Sequence, residues 1–134
     1  MTRPRPDAAG RCAEAVRVAR RLRGTVETAT GLIVRCFAEA GIALPDDLLA
    51  LHLLGETVLG SDLLPADVIF RTGRQNLYHG EDKRYGVGHL GLYTGERTVV
   101  HASPAKGCVV EDPIDPFFDD EYGHFRGVRR LIVR

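Results

Sequence analysis

The chain has 134 residues, of which 44% are hydrophobic and 27% charged, and its formal net charge is zero. This length predicts one globular domain, residues 1–134, with a core large enough to need no disulfide support. The zero net charge argues against a general nucleic-acid binder, and no apolar run approaches the ~20 residues of a membrane-spanning helix. We therefore expect neither nucleic acid nor membrane as a partner.

The first half of the chain predicts helices. Apolar residues recur at helical spacing from Ala8 to Arg23, with arginines on the opposite side, and Gly24 follows as a stop. A second helix is predicted for residues 29–40, ending at Gly41. The run Pro45-Asp46-Asp47 is typical of a helix start and predicts a short third helix over residues 48–54.

The second half predicts strands. Short apolar or alternating segments are separated by glycines, prolines and one polar loop over residues 71–86. The predicted strands cover residues 68–70, 87–94, 97–102, 107–111 and 125–133. Pro113 and Pro116 are expected to break the chain before the last of them. Helices followed by an antiparallel meander indicate an α+β fold, with a helical N-terminal half packed on a small sheet.

Charge is unevenly distributed along the chain. Residues 1–24 contain seven arginines, and residues 111–122 contain six acidic residues with no basic one. The simplest interpretation is two solvated faces. The alternative is that the acidic segment binds a basic partner or lines a substrate groove.

The cysteines give no sign of a disulfide or a metal site. There are three, Cys12, Cys36 and Cys108, and none belongs to a C-x-x-C pair, so we expect neither a disulfide framework nor bound zinc. No apolar segment follows the basic start of the chain, so a secretory signal is not expected. The sequence predicts a cytoplasmic protein, or one exported by a non-classical, phage or secretion-system route.

Two histidines lie on one predicted hairpin. His89 is on its first strand and His101 on its second, and a turn near Gly95 would bring them close together. A histidine held beside a second polar group is the base-and-orienter half of a nucleophilic triad, because the second group fixes the tautomer of the base. By itself the pair also fits a structural role.

An ordered set of short motifs resembles the NlpC-type, papain-like cysteine peptidases. That family has Asp-Cys-Ser/Thr-Gly-Leu at the start of its catalytic helix, where this chain reads Thr28-Ala29-Thr30-Gly31-Leu32. The segments GIALP (41–45), PADVIF (65–70) and HLGLYTGERTVVHAS (89–103) are similar to later family motifs. The likeness spans residues 29–133 and matches both hairpin histidines.

The resemblance implies a role for each matched position. His89 would be the general base and His101 the third, orienting residue, while Ala29 stands where the nucleophilic cysteine belongs and its amide would help to form the oxyanion hole. Thr30 of the motif, and Tyr78 and Tyr85 of the long loop, are expected to contact substrate. No metal or organic cofactor is implied. The chain as written is expected to be inactive.

Two explanations of Ala29 compete. An engineered cysteine-to-alanine change would abolish attack while keeping the helix and both histidines, and the intact histidines favour it. Alternatively, the protein is a natural pseudoenzyme that binds a peptide or a protein partner. Cys36 is expected in the core, while Cys108 follows the histidines as the nucleophile does in the permuted lecithin:retinol acyltransferase type, although that cysteine opens a helix and Cys108 is in a predicted strand.

The substrate implied by the resemblance is a peptide bond in peptidoglycan stem peptides. A phage-tail or secretion-system effector, or a peptidase for another protein substrate, also fits a domain without a signal segment. An acyltransferase of the same fold is a third class, and transfer to a lipid or amine would distinguish it from a hydrolase.

Overall fold

The computed structural model describes residues 7–121 and 123–132 and contains four helices and six strands within them. The helices are α1 (Ala8–Arg21), α2 (Ala29–Glu39), α3 (Leu48–Leu51) and α4 (Ile114–Phe118). The strands are β1 (Glu56–Val58), β2 (Val68–Arg71), β3 (His89–Tyr93), β4 (Thr98–Ser103), β5 (Cys108–Pro113) and β6 (Phe125–Arg130). The α+β prediction is confirmed. The predicted end of the last strand at Val133 lies outside the described residues.

Side-chain caps fix where the two long helices begin. The Asp7 carboxylate accepts a hydrogen bond from the Gly10 amide at 2.7 Å, and the Thr28 hydroxyl accepts one from the Gly31 amide at 3.0 Å. Each bond satisfies a first-turn amide that has no partner within its helix. The cap at Thr28 therefore makes Ala29 the first residue of α2.

The sheet is antiparallel throughout, in the order β1-β6-β2-β3-β4-β5. Strands β2 to β5 form the predicted meander, and the sequence analysis left the position of the last strand open. Strand β6 returns to lie between β1 and β2. Strand β1 and helix α4 were not predicted, because three residues are too few for a period and Pro113 and Pro116 flank the start of α4.

Apolar side chains cover both faces of the sheet. Helices α1 and α2 pack on one face, where the fully buried side chains include Leu32, Phe37, Phe70 and Leu90. Helix α4 covers the other face through Ile114 and Phe117, which pack with the following sheet residues: Val58, Ile69, Val99 and Val128. Alternate residues of β3 therefore face different layers, which puts Leu90 under the helices and His89 on the side of α4.

A buried ion pair ties β2 to β6. Asp67 is 1% exposed, and its carboxylate accepts hydrogen bonds from Nε and Nη2 of Arg130 at 2.9 and 2.8 Å and from the Leu64 amide at 2.8 Å. The contact joins the residue before β2 to the last residue of β6. It accounts for the aspartate in the PADVIF motif in structural terms.

The two charged segments meet each other. Arg20 and Arg23 of the N-terminal region both pair with Glu111 of β5, at 3.1 and 3.2 Å. Asp112 and Asp120 of the acidic segment are also paired, with His101 and Arg71 respectively. Arginines therefore neutralise Glu111 and Asp120 within the chain, and Asp112 is engaged in a hydrogen bond, which leaves less of the segment as an open surface for a basic partner. No helix in the described part of the chain is long and apolar enough to cross a membrane.

Candidate active site

A cavity of about 1170 Å³ brings together the three predicted catalytic positions. Ala29 reaches it from the first turn of α2, His89 from β3 and His101 from β4. The first turn of a helix presents unpaired amides and the positive end of the helix dipole. The cavity therefore combines an imidazole with the electrostatics that favour an anion at residue 29.

The two histidines and an aspartate form a hydrogen-bonded chain. Nε2 of His89 lies 2.8 Å from Nδ1 of His101, and Nε2 of His101 lies 2.7 Å from Oδ2 of Asp112. The sequence analysis did not identify Asp112. The hairpin register contained the signal, since His101 pairs with Val110 and Asp112 is two residues further along the same face of β5. Finding it required the position of the turn between β4 and β5.

An aromatic ring covers the histidine pair. The ring of Phe117 in α4 lies 5.7 Å from that of His89 and 4.9 Å from that of His101, centroid to centroid. Gly91 makes room for this packing, because a Cβ there would lie 2.9 Å from Phe117 and 3.1 Å from the His101 Cβ, and closer still to Val99. The histidine pair is thus held between the sheet and α4, with water largely excluded.

Burial disfavours the charged form of both imidazoles. It lowers the pKa of His89 to about 3, with smaller contributions from His101 and the Arg71 guanidinium. Burial also lowers the pKa of His101, although the hydrogen bond and negative charge of Asp112 oppose that shift. A general base works best with a pKa near the working pH, and the pKa of His89 lies well below that range. With alanine at position 29, no thiolate is present to stabilise the His89 imidazolium.

The loop after β2 forms one wall of the cavity, and short-range bonds hold it in shape. The Gly73 amide donates to the Asn76 side chain at 2.9 Å, and the Asn76 amide group donates back to the Gly73 carbonyl at 3.1 Å. Further along, Nε2 of His79 lies 2.9 Å from Nδ1 of His52, which in turn contacts the β6 backbone. Arg74 and Gln75, at the tip of the first turn, line the cavity.

The predicted substrate contacts do not gather at this cavity. Thr30 hydrogen-bonds to the Asp46 carboxylate, Tyr78 lies under the Lys83 ammonium group at 4.9 Å, and Tyr85 is exposed beside Arg126. None of the three lines the cavity among the described residues. Their role in substrate binding stays a prediction without support from the geometry.

The native cysteines differ in their access to the cavity. Cys36 is fully buried in the helical core, and burial raises the pKa of its thiol to about 12. Cys108, the alternative nucleophile, does line the cavity, but it is the first residue of β5. It therefore does not stand at a helix start, which is where cysteine peptidases of this fold have their nucleophile.

The fold and the cavity define the papain-like class, in which a helix start faces a histidine on an antiparallel sheet. Among curated relatives, the chain is 29% identical over 101 residues to the murein DD-endopeptidase MepS/murein LD-carboxypeptidase of Escherichia coli, covering 74% of this chain and 48% of that protein. It is 33% identical over 93 residues to a probable endopeptidase of Mycobacterium tuberculosis, covering 67% of this chain and 21% of that protein. The chain thus spans at most about half of these relatives. No family model matches it.

Solved structures give the same fold. An NlpC/P60 family protein from Bacillus cereus has a TM-score of 0.75 at 20% identity, covering 97% of this chain and 42% of that one. The peptidoglycan hydrolase RipB of M. tuberculosis has a TM-score of 0.75 at 19% identity, covering 98% and 70%. RipD of the same organism, described as a non-catalytic NlpC/p60 domain protein adapted to peptidoglycan binding, has a TM-score of 0.68 at 17% identity, covering 90% and 97%. The chain therefore has the NlpC/P60 fold, as its motifs predicted.

Proposed function

We propose that this domain holds a peptidoglycan stem peptide in the cavity beside His89, and that it does not cleave the peptide because Ala29 occupies the nucleophile position. The observation that carries the proposal is the meeting of Ala29, His89 and His101 in one cavity. The relatives that act on murein or peptidoglycan supply the substrate class. The histidine pair supplies the type of chemistry.

With a cysteine at position 29, the chemistry would be thiol-dependent amide hydrolysis. His89 takes the thiol proton, the thiolate attacks the scissile carbonyl, and first-turn amides of α2 stabilise the resulting oxyanion. His89 then gives its proton to the departing amine, leaving a thioester. A water molecule, deprotonated by His89, hydrolyses the thioester and restores the thiol. Alanine offers no atom for the first bond, so the sequence of steps stops at binding.

In the part of the chain that the structure describes, the cavity is lined by two acidic residues, Glu27 and Asp120, and two arginines, of which only Arg74 is free to bind a carboxylate of the peptide. Arg71 is already committed, since its guanidinium donates to Asp120 at 2.8 Å and to the Pro116 carbonyl at 2.9 Å. Arg74 has no ion pair or hydrogen bond from its side chain to any other described residue, and the turn closed by Gly73 and Asn76 holds it at the cavity wall. An arginine presented in this way suits a carboxylate.

Replacing Arg74 is expected to weaken binding of acidic peptides selectively. Arg74→Gln should lower the affinity for a synthetic stem tetrapeptide roughly tenfold, since hydrogen bonds to charged groups are worth more than neutral ones. Affinity for the same peptide with its carboxylates amidated should not change. Arg84→Gln is the matched control, because Arg84 is in the same loop but pairs with Asp82 outside the cavity. Equal losses for both peptides would remove Arg74 from carboxylate recognition.

Binding without cleavage is the direct test of the proposal. The unaltered chain, titrated with the stem tetrapeptide, should show saturable amide shifts that map to the cavity walls at residues 71–75 and 101–105, and mass spectrometry should find the peptide intact. Shifts elsewhere, or none, would refute the assignment of this cavity. A cleaved peptide would refute the role given to Ala29.

A natural binding module is the second candidate, and the likeness to RipD favours it. It differs from an engineered variant of a peptidase in what a cysteine at position 29 would do. The hydrogen bonds that link His89 to His101 and His101 to Asp112 are an arrangement that a catalytic domain needs and a binding module does not. We therefore favour a peptidase site whose nucleophile has been replaced.

A further inference from the structure

The hydrogen-bonded triad of His89, His101 and Asp112 has only one favourable arrangement of protons. An ionised carboxylate can only accept hydrogen bonds, so the 2.7 Å contact with Asp112 requires a proton on Nε2 of His101. A lone pair on that nitrogen would instead face a negative oxygen at close range. Burial lowers the pKa of His101 and so favours the neutral ring, and a neutral imidazole with its proton on Nε2 has a lone pair on Nδ1.

The proton position on His101 determines the proton position on His89. Nδ1 of His101 is an acceptor, so the 2.8 Å contact requires that Nε2 of His89 donates to it. His89 is also neutral, which leaves Nδ1 as a lone pair. That nitrogen has no hydrogen-bond partner among the described residues, and His89 lines the cavity with Ala29. It is therefore the nitrogen available to accept a proton from a group at residue 29.

We propose that Asp112 is a positioning residue that sets the tautomer of His89 through His101, so that Nδ1 of His89 has the lone pair of a general base. Two features of the site support the coupling. Phe117 covers both rings, which keeps water from offering them other partners. The nearby Arg71 guanidinium disfavours a proton on either imidazole. Asp112 acts on His89 only through His101 and needs no contact with substrate.

The experiment reads tautomers directly. Long-range nitrogen-15 NMR of the unaltered protein at neutral pH should find His89 and His101 both protonated on Nε2 only. Asp112→Lys replaces an acceptor with a donor, so both rings should convert together to the Nδ1-protonated form. Asp112→Glu keeps the carboxylate and should keep the original tautomers. Asp115→Lys is the control, since it makes the same charge change at a carboxylate that pairs with Arg97.

A second variant keeps the test decisive if lysine at position 112 disturbs folding. Asp112→Ala removes the acceptor and should speed exchange of the His101 Nε2 proton with water roughly tenfold or more. The inference is overturned if His89 has its proton on Nδ1 in the unaltered protein. It is also overturned if His101 converts without His89, or if neither ring responds to Asp112→Lys or Asp112→Ala. The inference deepens the proposed function, but its readout uses no substrate, so the two can fail separately.

Discussion

Ala29→Cys is expected to create a thiol whose alkylation rate hardly changes between pH 5 and pH 8. An ordinary thiol with a pKa near ~8.5 reacts roughly 10³-fold more slowly at the lower end of that range, because only its thiolate is nucleophilic. At residue 29 the α2 dipole and His89 would both stabilise the thiolate. The thiolate in turn would raise the pKa of His89 from about 3, because it supplies the opposite charge that the buried imidazolium lacks.

The protein contains its own reference thiol for this measurement. Cys108 lines the same cavity but opens a strand, so it serves as the internal comparison thiol that has no helix dipole beside it. Peptide mass spectrometry separates the two sites. Adding His89→Ala to Ala29→Cys should restore the ordinary pH profile at residue 29. An ordinary profile in the single variant would instead mean that the cavity has no catalytic electrostatics, and the binding-module interpretation would replace ours.

The same variant tests the chemistry itself. Ala29→Cys should hydrolyse a stem peptide into two fragments, and Ala29→Cys with His89→Ala should not. If the single variant labels as a poised thiolate but does not cleave, the site is catalytic and the substrate class is wrong. Transfer of an acyl group to an added amine, in preference to water, would indicate the acyltransferase class.

Asp67→Ala is expected to lower the free energy of unfolding by about 3 kcal/mol, because it leaves the Arg130 guanidinium largely buried without its carboxylate. It also removes the acceptor for the Leu64 amide. Urea unfolding followed by circular dichroism measures the change. Replacing both partners, Asp67→Ala with Arg130→Met, should recover part of the loss, since no uncompensated charge then remains.

Asp82→Ala is the matched control for stability. Asp82 pairs with Arg84 on the surface, where both side chains are well exposed, so its loss should change stability by no more than about 0.5 kcal/mol. Equal effects of the two aspartate variants would show that the Asp67 pair contributes no more than a surface pair. It would then not be what joins β2 to β6.

Local pattern predicted the parts of the fold that local physics determines. The helix over 29–40 was predicted from its apolar stripe, and a capping threonine fixes its start. The hairpin that holds His89 and His101 was predicted from its alternating pattern of residues and its glycine turn. The position of β6 was not, because its pairing with β1 and β2 depends on long-range contacts such as Asp67 with Arg130. Helix α4 was missed because prolines at its start read as chain breaks.

The candidate site was also predictable only where its residues belong to local sequence motifs. Ala29, His89 and His101 were predicted as site residues because each belongs to a motif, and the structure places all three at one cavity. Asp112 and Phe117 belong to no motif, and they reach the histidines only through the register of β5 and the docking of α4. The substrate contacts predicted for Tyr78 and Tyr85 depended on the path of a loop, which the hydrogen bonds of Gly73, Asn76 and His79 determine.

Gly91 affects how the results of large variant libraries of this domain should be interpreted. The smallest possible side chain at this position would collide with Val99, Phe117 and His101 at once. Nearly every substitution should therefore score as a loss of function, as if position 91 contacted the bound peptide. A screen that measures function alone would group Gly91 with the residues that bind or react. Only a parallel measurement of protein abundance would separate a packing defect at this position from the loss of a functional group.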